Sequence, residues 1–155
     1  MKGKNWKDSY KNAYQLTHVI KGQPGSAIPC QSDFLYLTSR LYNNEGLLKQ
    51  ELTFIKVPLV RGRYKVVPLK LGFCLDSDPV YGYLQYMDDD VLGASYDVFE
   101  KEENYIEIEE YNPDTKELKG RFEMTVVFDN HGSTEYPGDT LRFTDGKFHT
   151  KIIDK

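Results

Sequence analysis

Alanine is nearly missing from this chain, with three in 155 residues at Ala13, Ala27 and Ala94. Val, Ile, Thr, Tyr, Phe and Trp together supply 47. Good surface helix formers are therefore thin and residues suited to pleated sheets abound, which excludes an all-α bundle. A surplus of positive charge is missing too. With 20 Lys and Arg against 24 Asp and Glu, the net charge is -4, and there is no basic footprint for a phosphate backbone. Nucleic acid is not an expected partner. No run of 18 apolar residues occurs, so no transmembrane helix is expected. The start Met1–Trp6 lacks the apolar stretch of a secretory signal. That fits a cytosolic protein, and equally an exported one whose signal has been removed. Cysteines number only two, Cys30 and Cys74. Two readings stay open for them: separate buried thiols, or a disulfide closing a loop of more than forty residues.

What is present reads as one domain over residues 1–155, with 1–14 a leading segment of undetermined structure. Turn signals recur at short intervals from residue 22, and between them lie runs of period two. Strands are predicted at about Gln15–Ile20, Phe34–Tyr42, Leu48–Val57, Arg63–Cys74, Val80–Met87, Ala94–Glu100, Tyr105–Tyr111, Glu117–Phe128, Asp139–Thr144 and Lys147–Ile153. About ten strands with one-sided patterning must bury their apolar faces against each other. The expected fold is all-β, an antiparallel β-sandwich built from hairpins, with a closed lipocalin-like barrel as the alternative.

Two hairpin registers follow from turn chemistry. Asp145-Gly146 suits a two-residue turn that places Phe143 opposite Phe148, Leu141 opposite Thr150 and Arg142 opposite His149. Pairing Tyr111 with Glu117 across Asn112–Lys116 sets Glu109 against Lys119, Glu107 against Arg121, Ile106 against Phe122 and Ile108 against Gly120. A one-residue slip would set apolar against charged side chains along the whole hairpin.

Asp88, Asp89 and Asp90, with Asp76 and Asp78, could offer oxygens to a calcium ion, but the spacing of an EF-hand loop is missing. They read as a solvated acidic turn, with Asp88 and Asp90 as weak metal candidates. A glycosidase needs two carboxyls flanking a cleft, which spacing cannot show, and Glu107 and Glu109 are assigned to strand pairing. His18, His131 and His149 fall in no metal-binding spacing, with His131 read as a loop tip and His149 as facing outward. No glycines form a phosphate loop. No catalytic residue, metal or cofactor is therefore assigned. Tyrosine, at twelve, is the outlier. Tyr81, Tyr83 and Tyr86 form the candidate ligand-binding cluster, because the ring is apolar and its hydroxyl stays wet.

Several segments carry a family likeness. Tyr96-Asp97-Val98-Phe99, Asn104–Ile108, Tyr111–Lys116, Gly120-Arg121-Phe122, Thr140–Phe148 and, upstream, Glu51–Pro58 resemble small Bacteroidetes envelope lipoproteins of unknown function, over about two thirds of the chain. The resemblance implies an exported β-sandwich domain, periplasmic or on the outer membrane, that meets a membrane only through a lipid anchor. It supplies no functional residues. The expectation is a non-enzymatic binding or assembly domain for a glycan or an envelope protein. The alternatives are a lipocalin-like carrier of an apolar ligand, an Asp/Glu carbohydrate hydrolase, and, for its address, the cytoplasm.

Overall fold

The structure, a computed structural model, describes residues 12–20, 34–70, 79–131 and 138–154. The β-branched and aromatic surplus goes into strands: β1 (Asn12–Ile20), β2 (Phe34–Tyr42), β3 (Leu48–Val57), β4 (Gly62–Pro68), β5 (Val80–Asp88), β6 (Val91–Val98), β7 (Tyr105–Asn112), β8 (Glu117–His131) and β9 (Thr140–Asp154). The fold is all-β, and β2 and β3 keep their predicted bounds. β1 begins at Asn12, inside the leading segment. Cys30, Cys74, Asp76 and Asp78 lie outside the described residues.

One sheet runs in the order β3-β2-β1-β9-β8-β6-β5-β4-β7, and a further pairing of β3 with β5 brings the hydrogen-bonded path back to its start. The closure is not that of a regular barrel. Between β8 and β5 lies β6 alone at one end, and β7 with β4 at the other. The inner faces then meet as the layers of a sandwich do. Phe54 of β3 and Phe122 of β8, on strands that are not neighbours, stand edge to face with ring centroids 5.1 Å apart. Tyr96 and Phe128, opposed on the neighbouring strands β6 and β8, also stand edge to face, at 5.8 Å. Around them Leu52, Leu84, Ile106, Met124 and Val126 are buried in the same apolar cluster.

Three expectations need correction. The sheet is mixed, because β1 runs parallel to β9 and β4 parallel to β5. The Asp145-Gly146 dipeptide does not turn a hairpin: both predicted strands around it belong to β9, which pairs with β8 from Thr140 to Lys151. The register there passes from Phe122↔Gly146 to Met124↔Phe143, so β9 carries one extra residue, and Asp145 takes the left-handed conformation at φ 55. The physical reason lies in spacing. Phe143 and Phe148 are five apart and would fall on opposite faces of a regular strand; a hairpin or a one-residue bulge each restores both to the inner face. Thirdly, the β7–β8 hairpin keeps Glu107↔Arg121, Ile106↔Phe122 and Ile108↔Gly120, but a bulge at Glu109 moves the turn end to Glu110↔Lys119 and Tyr111↔Leu118. The Asn112 carboxamide oxygen accepts from the backbone N–H of Asp114 and Thr115, and that Asx geometry fixes the shorter turn.

The loop from β6 to β7 is pinned by a buried side chain. Asn104 donates to the carbonyls of Phe99 and Glu102, both at 2.8 Å, and accepts from the Thr125 backbone N–H at 2.7 Å. Glu102 in turn accepts from the Thr125 hydroxyl at 2.7 Å and holds Arg142 of β9 through both its oxygens. These bonds tie the loop to β8 and β9 at one corner, and those from Arg142 and then Thr125 hold the Glu102 carboxyl below the usual glutamate range.

Candidate functional site

Alternation sends Val80, Gly82 and Leu84 of β5 inward and Tyr81 and Tyr83 outward, as their order in sequence requires. Tyr86 falls on the inner side, packed against the main core. The structure therefore brings Tyr81 and Tyr83 together and separates Tyr86 from them. Tyr81 is only 4% exposed and joins Ile55 in a second apolar cluster with Tyr36, Val67 and Tyr83. Of the three tyrosines, Tyr83 is the one that stands half-buried on the outer face.

Register places its neighbours in three rows across β2, β3 and β5. The first is Tyr36–Ile55–Tyr81, the second Thr38–Thr53–Tyr83 and the third Arg40–Glu51–Gln85. β6 extends the second row with Asp97 and the third with Ser95. The face grades from apolar to hydroxyl-bearing to ionic. Thr38 and Thr53, buried, approach oxygen to oxygen at 3.3 Å, and Thr53 bonds the Tyr83 hydroxyl. Arg40 and Glu51 pair at 2.6 Å. Thr38, Thr53, Ile55 and Tyr81 thus form a buried floor, while Tyr83, Glu51, Gln85, Ser95 and Asp97 form a half-exposed rim.

Burial, the largest influence on each, raises the pKa of Tyr83, Tyr36 and Asp97. Burial, above all, lifts the Tyr83 hydroxyl over the ordinary tyrosine range; Thr53 opposes the shift, Glu51 adds to it and Arg40 opposes it. Tyr36 moves the same way, by burial and then by the nearby Tyr83. Asp97 is raised by burial and by Asp129 beside it on β8. A carboxyl that holds its proton more tightly when folded stabilises the fold at low pH, and that contribution is lost as pH rises through its folded pKa. Asp129→Asn is accordingly expected to lower the Asp97 pKa and raise the denaturation midpoint above pH 5. Carboxyl carbon NMR titration with urea melts would check this; an unmoved Asp97 would refute the coupling.

The remaining candidates sit elsewhere. Asp88 is exposed in the β5–β6 turn and pairs with Lys49 at 2.5 Å, while Asp89 takes φ 58 and its N–H reaches the Leu48 carbonyl. Among the described residues no three His, Cys, Asp or Glu gather as a metal site, and Asp90 is exposed in the same turn. His131 ends β8 opposite Ala94, within a strand and not at a loop tip. His149 lies across from Lys119, where the hairpin register had set it against Arg142. Arg40, Glu51, Thr53 and Asp97 were not singled out from sequence. Period-two patterning in Tyr36-Leu37-Thr38-Ser39-Arg40 and Glu51–Ile55 does mark outward positions. The β3–β5 pairing that joins them bypasses β4, though, and no turn announces it. Comparison with protein-family models, with characterised proteins and with solved structures gives no match for this chain.

Proposed function

We propose that this domain is a non-enzymatic binding module, exported to the cell envelope, that takes a neutral, polyhydroxylated ligand on the outer face of β2, β3, β5 and β6. The observation that carries the reading is the rim around Tyr83. A half-exposed aromatic ring lies beside carboxylate, carboxamide and hydroxyl groups over a floor already fixed by burial. Sugars are bound by this combination, because the ring covers their C–H faces while carboxylates and amides take pairs of hydroxyls. The rim is held in place by cross-strand pairing rather than by a loop, so little ordering accompanies binding.

Isothermal titration calorimetry with neutral oligosaccharides and soluble cell-wall fragments tests the reading. Binding without release of new reducing ends is the expected result. Tyr83→Ala should weaken it by about 2 kcal/mol, roughly thirtyfold, with an unchanged circular dichroism spectrum. Absence of binding across the panel overturns the proposal, and accumulation of cleaved product replaces it with a hydrolase.

A further inference from the structure

The outer face does not end at the Arg40–Glu51–Gln85 row. Tyr86 packs against the main core, so Met87, the next residue of β5, turns to the face that carries Tyr83 and Gln85, and Leu92 of β6 is its partner across the ladder. Regular alternation along β6 would send Leu92 the other way, into the core with Ala94 and Tyr96. The register shift between Tyr86↔Ala94 and Met87↔Leu92 makes Gly93 an extra residue and brings Leu92 round to the outer face. A bulge thus presents a leucine to solvent: it is 40% exposed, and Met87 opposite is half-buried.

Along the strands the outer face therefore grades from apolar to hydroxyl-bearing to ionic and back to apolar. The two apolar flanks differ. Ile55 and Tyr81 in the first are 2% and 4% exposed and already covered, whereas Leu92 in the second stands open. From Tyr83 to Met87 is four residues, about 13 Å of extended strand, with the Gln85↔Ser95 pair between them.

We propose, resting on the sugar-binding reading of the Tyr83 rim, that the ligand is a glycoside with an apolar aglycone: the sugar lies on Tyr83 and its polar neighbours, and an alkyl or acyl chain attached to it runs over Met87 and Leu92. A free sugar leaves this flank wet. An attached chain covers it, and that apolar contact adds to the hydrogen bonds the rim supplies to the sugar. Because the other apolar flank is closed, the chain has one direction in which to run. The unbranched Met87 side chain can shift to fit chains of different shape.

The test is calorimetry on the full chain with methyl and octyl glycosides of the neutral disaccharides maltose, cellobiose and lactose, the octyl compounds kept below their micelle concentration. Octyl compounds should bind about tenfold more tightly than their methyl counterparts, the equivalent of burying about two methylenes. Leu92→Ser should bring octyl affinity down to the methyl value and leave methyl binding unchanged. Val91→Ser, at an apolar residue 50% exposed whose side chain alternation turns to the opposite side, should keep the preference. Equal binding of methyl and octyl compounds to the parent overturns the proposal and leaves the sugar reading standing. A preference that survives Leu92→Ser overturns it as well, since the chain then lies elsewhere. Octyl binding that Tyr83→Ala leaves unchanged shows capture of the chain alone and overturns both. No binding by any of these glycosides also overturns the proposal, and the oligosaccharide titrations then decide the sugar reading by themselves. Leu92→Ser should match the parent in thermal midpoint, which separates a lost contact from lost folding.

Discussion

Gly120→Ala is expected to lower unfolding free energy by about 3 kcal/mol, the upper end for overpacking, because the obstacle is backbone. A Cβ at Gly120 would press on the carbonyl oxygen of Glu107 and lie 2.5 Å from the Phe148 ring. The cross-strand pairs Gly120↔Phe148 and Phe122↔Gly146 form a reciprocal arrangement, each phenylalanine covering the bare backbone opposite it. An aromatic ring over a cross-strand glycine shields hydrogen bonds that no side chain of its own protects. At Gly146 the nearest atoms to the added carbon all belong to the Phe122 ring, from 2.5 Å, and at Gly82 they are the side chains of Val66 and Met124 at 2.7 and 2.9 Å. Side-chain ends can shift where a strand carbonyl cannot. Urea denaturation of the three alanine variants should therefore rank Gly120 as the most damaging. A Gly120→Ala loss under about 1 kcal/mol would show that β7 can move aside, contrary to the packing.

Asn104→Ala should cost nearly as much, about 2 to 3 kcal/mol, by a different route. The side chain is 3% exposed and makes three hydrogen bonds that no neighbour can take over. Its removal strands the Thr125 N–H in the interior, and an unsatisfied buried donor costs more than the bond itself contributed. Asn104→Asp separates the two halves of the argument. The carboxylate still accepts from Thr125, yet turns an anionic oxygen toward the carbonyls of Phe99 and Glu102. Its protonated form can donate to one of them. The aspartate should therefore bind its proton more tightly when folded, and the variant's stability should rise as pH falls below about 5. Denaturation midpoints at several pH values would check the sign, and a pH-independent deficit would sink the account.

Strand content and most strand limits could be read from the sequence because they rest on local patterning. Tyr36-Leu37-Thr38 or Ile106-Glu107-Ile108 alternates whichever strand lies beside it. The Glu107↔Arg121 register was likewise legible, since complementary charges and a short turn fix it together. What escaped depended on choices between locally equivalent solutions. A hairpin and a bulge at Asp145 both return Phe143 and Phe148 to one face, and only the length of β8 decides between them. In β3, Lys56 at φ 64 performs a similar switch, sending both Phe54 and Val57 inward with Ile55 outward. The rim around Tyr83 was half visible. Its tyrosine stood out by composition, whereas Arg40, Glu51 and Asp97 reach it through pairings between segments far apart in the chain.

The strand that leads the described chain and the strand that ends it are neighbours in the sheet, through Thr17↔Ile152 to Val19↔Asp154. Such a ring cannot be sealed piecemeal during translation. The hairpins β5–β6 and β7–β8 can form as soon as they emerge, but β1 and the edge of β8 wait for β9, with nearly the whole chain as the loop to be closed. High contact order of this kind sets folding in the range of milliseconds to seconds. During that wait the far edge of β8 stands open to other nascent chains. Only the fifteen-residue β9 covers that edge.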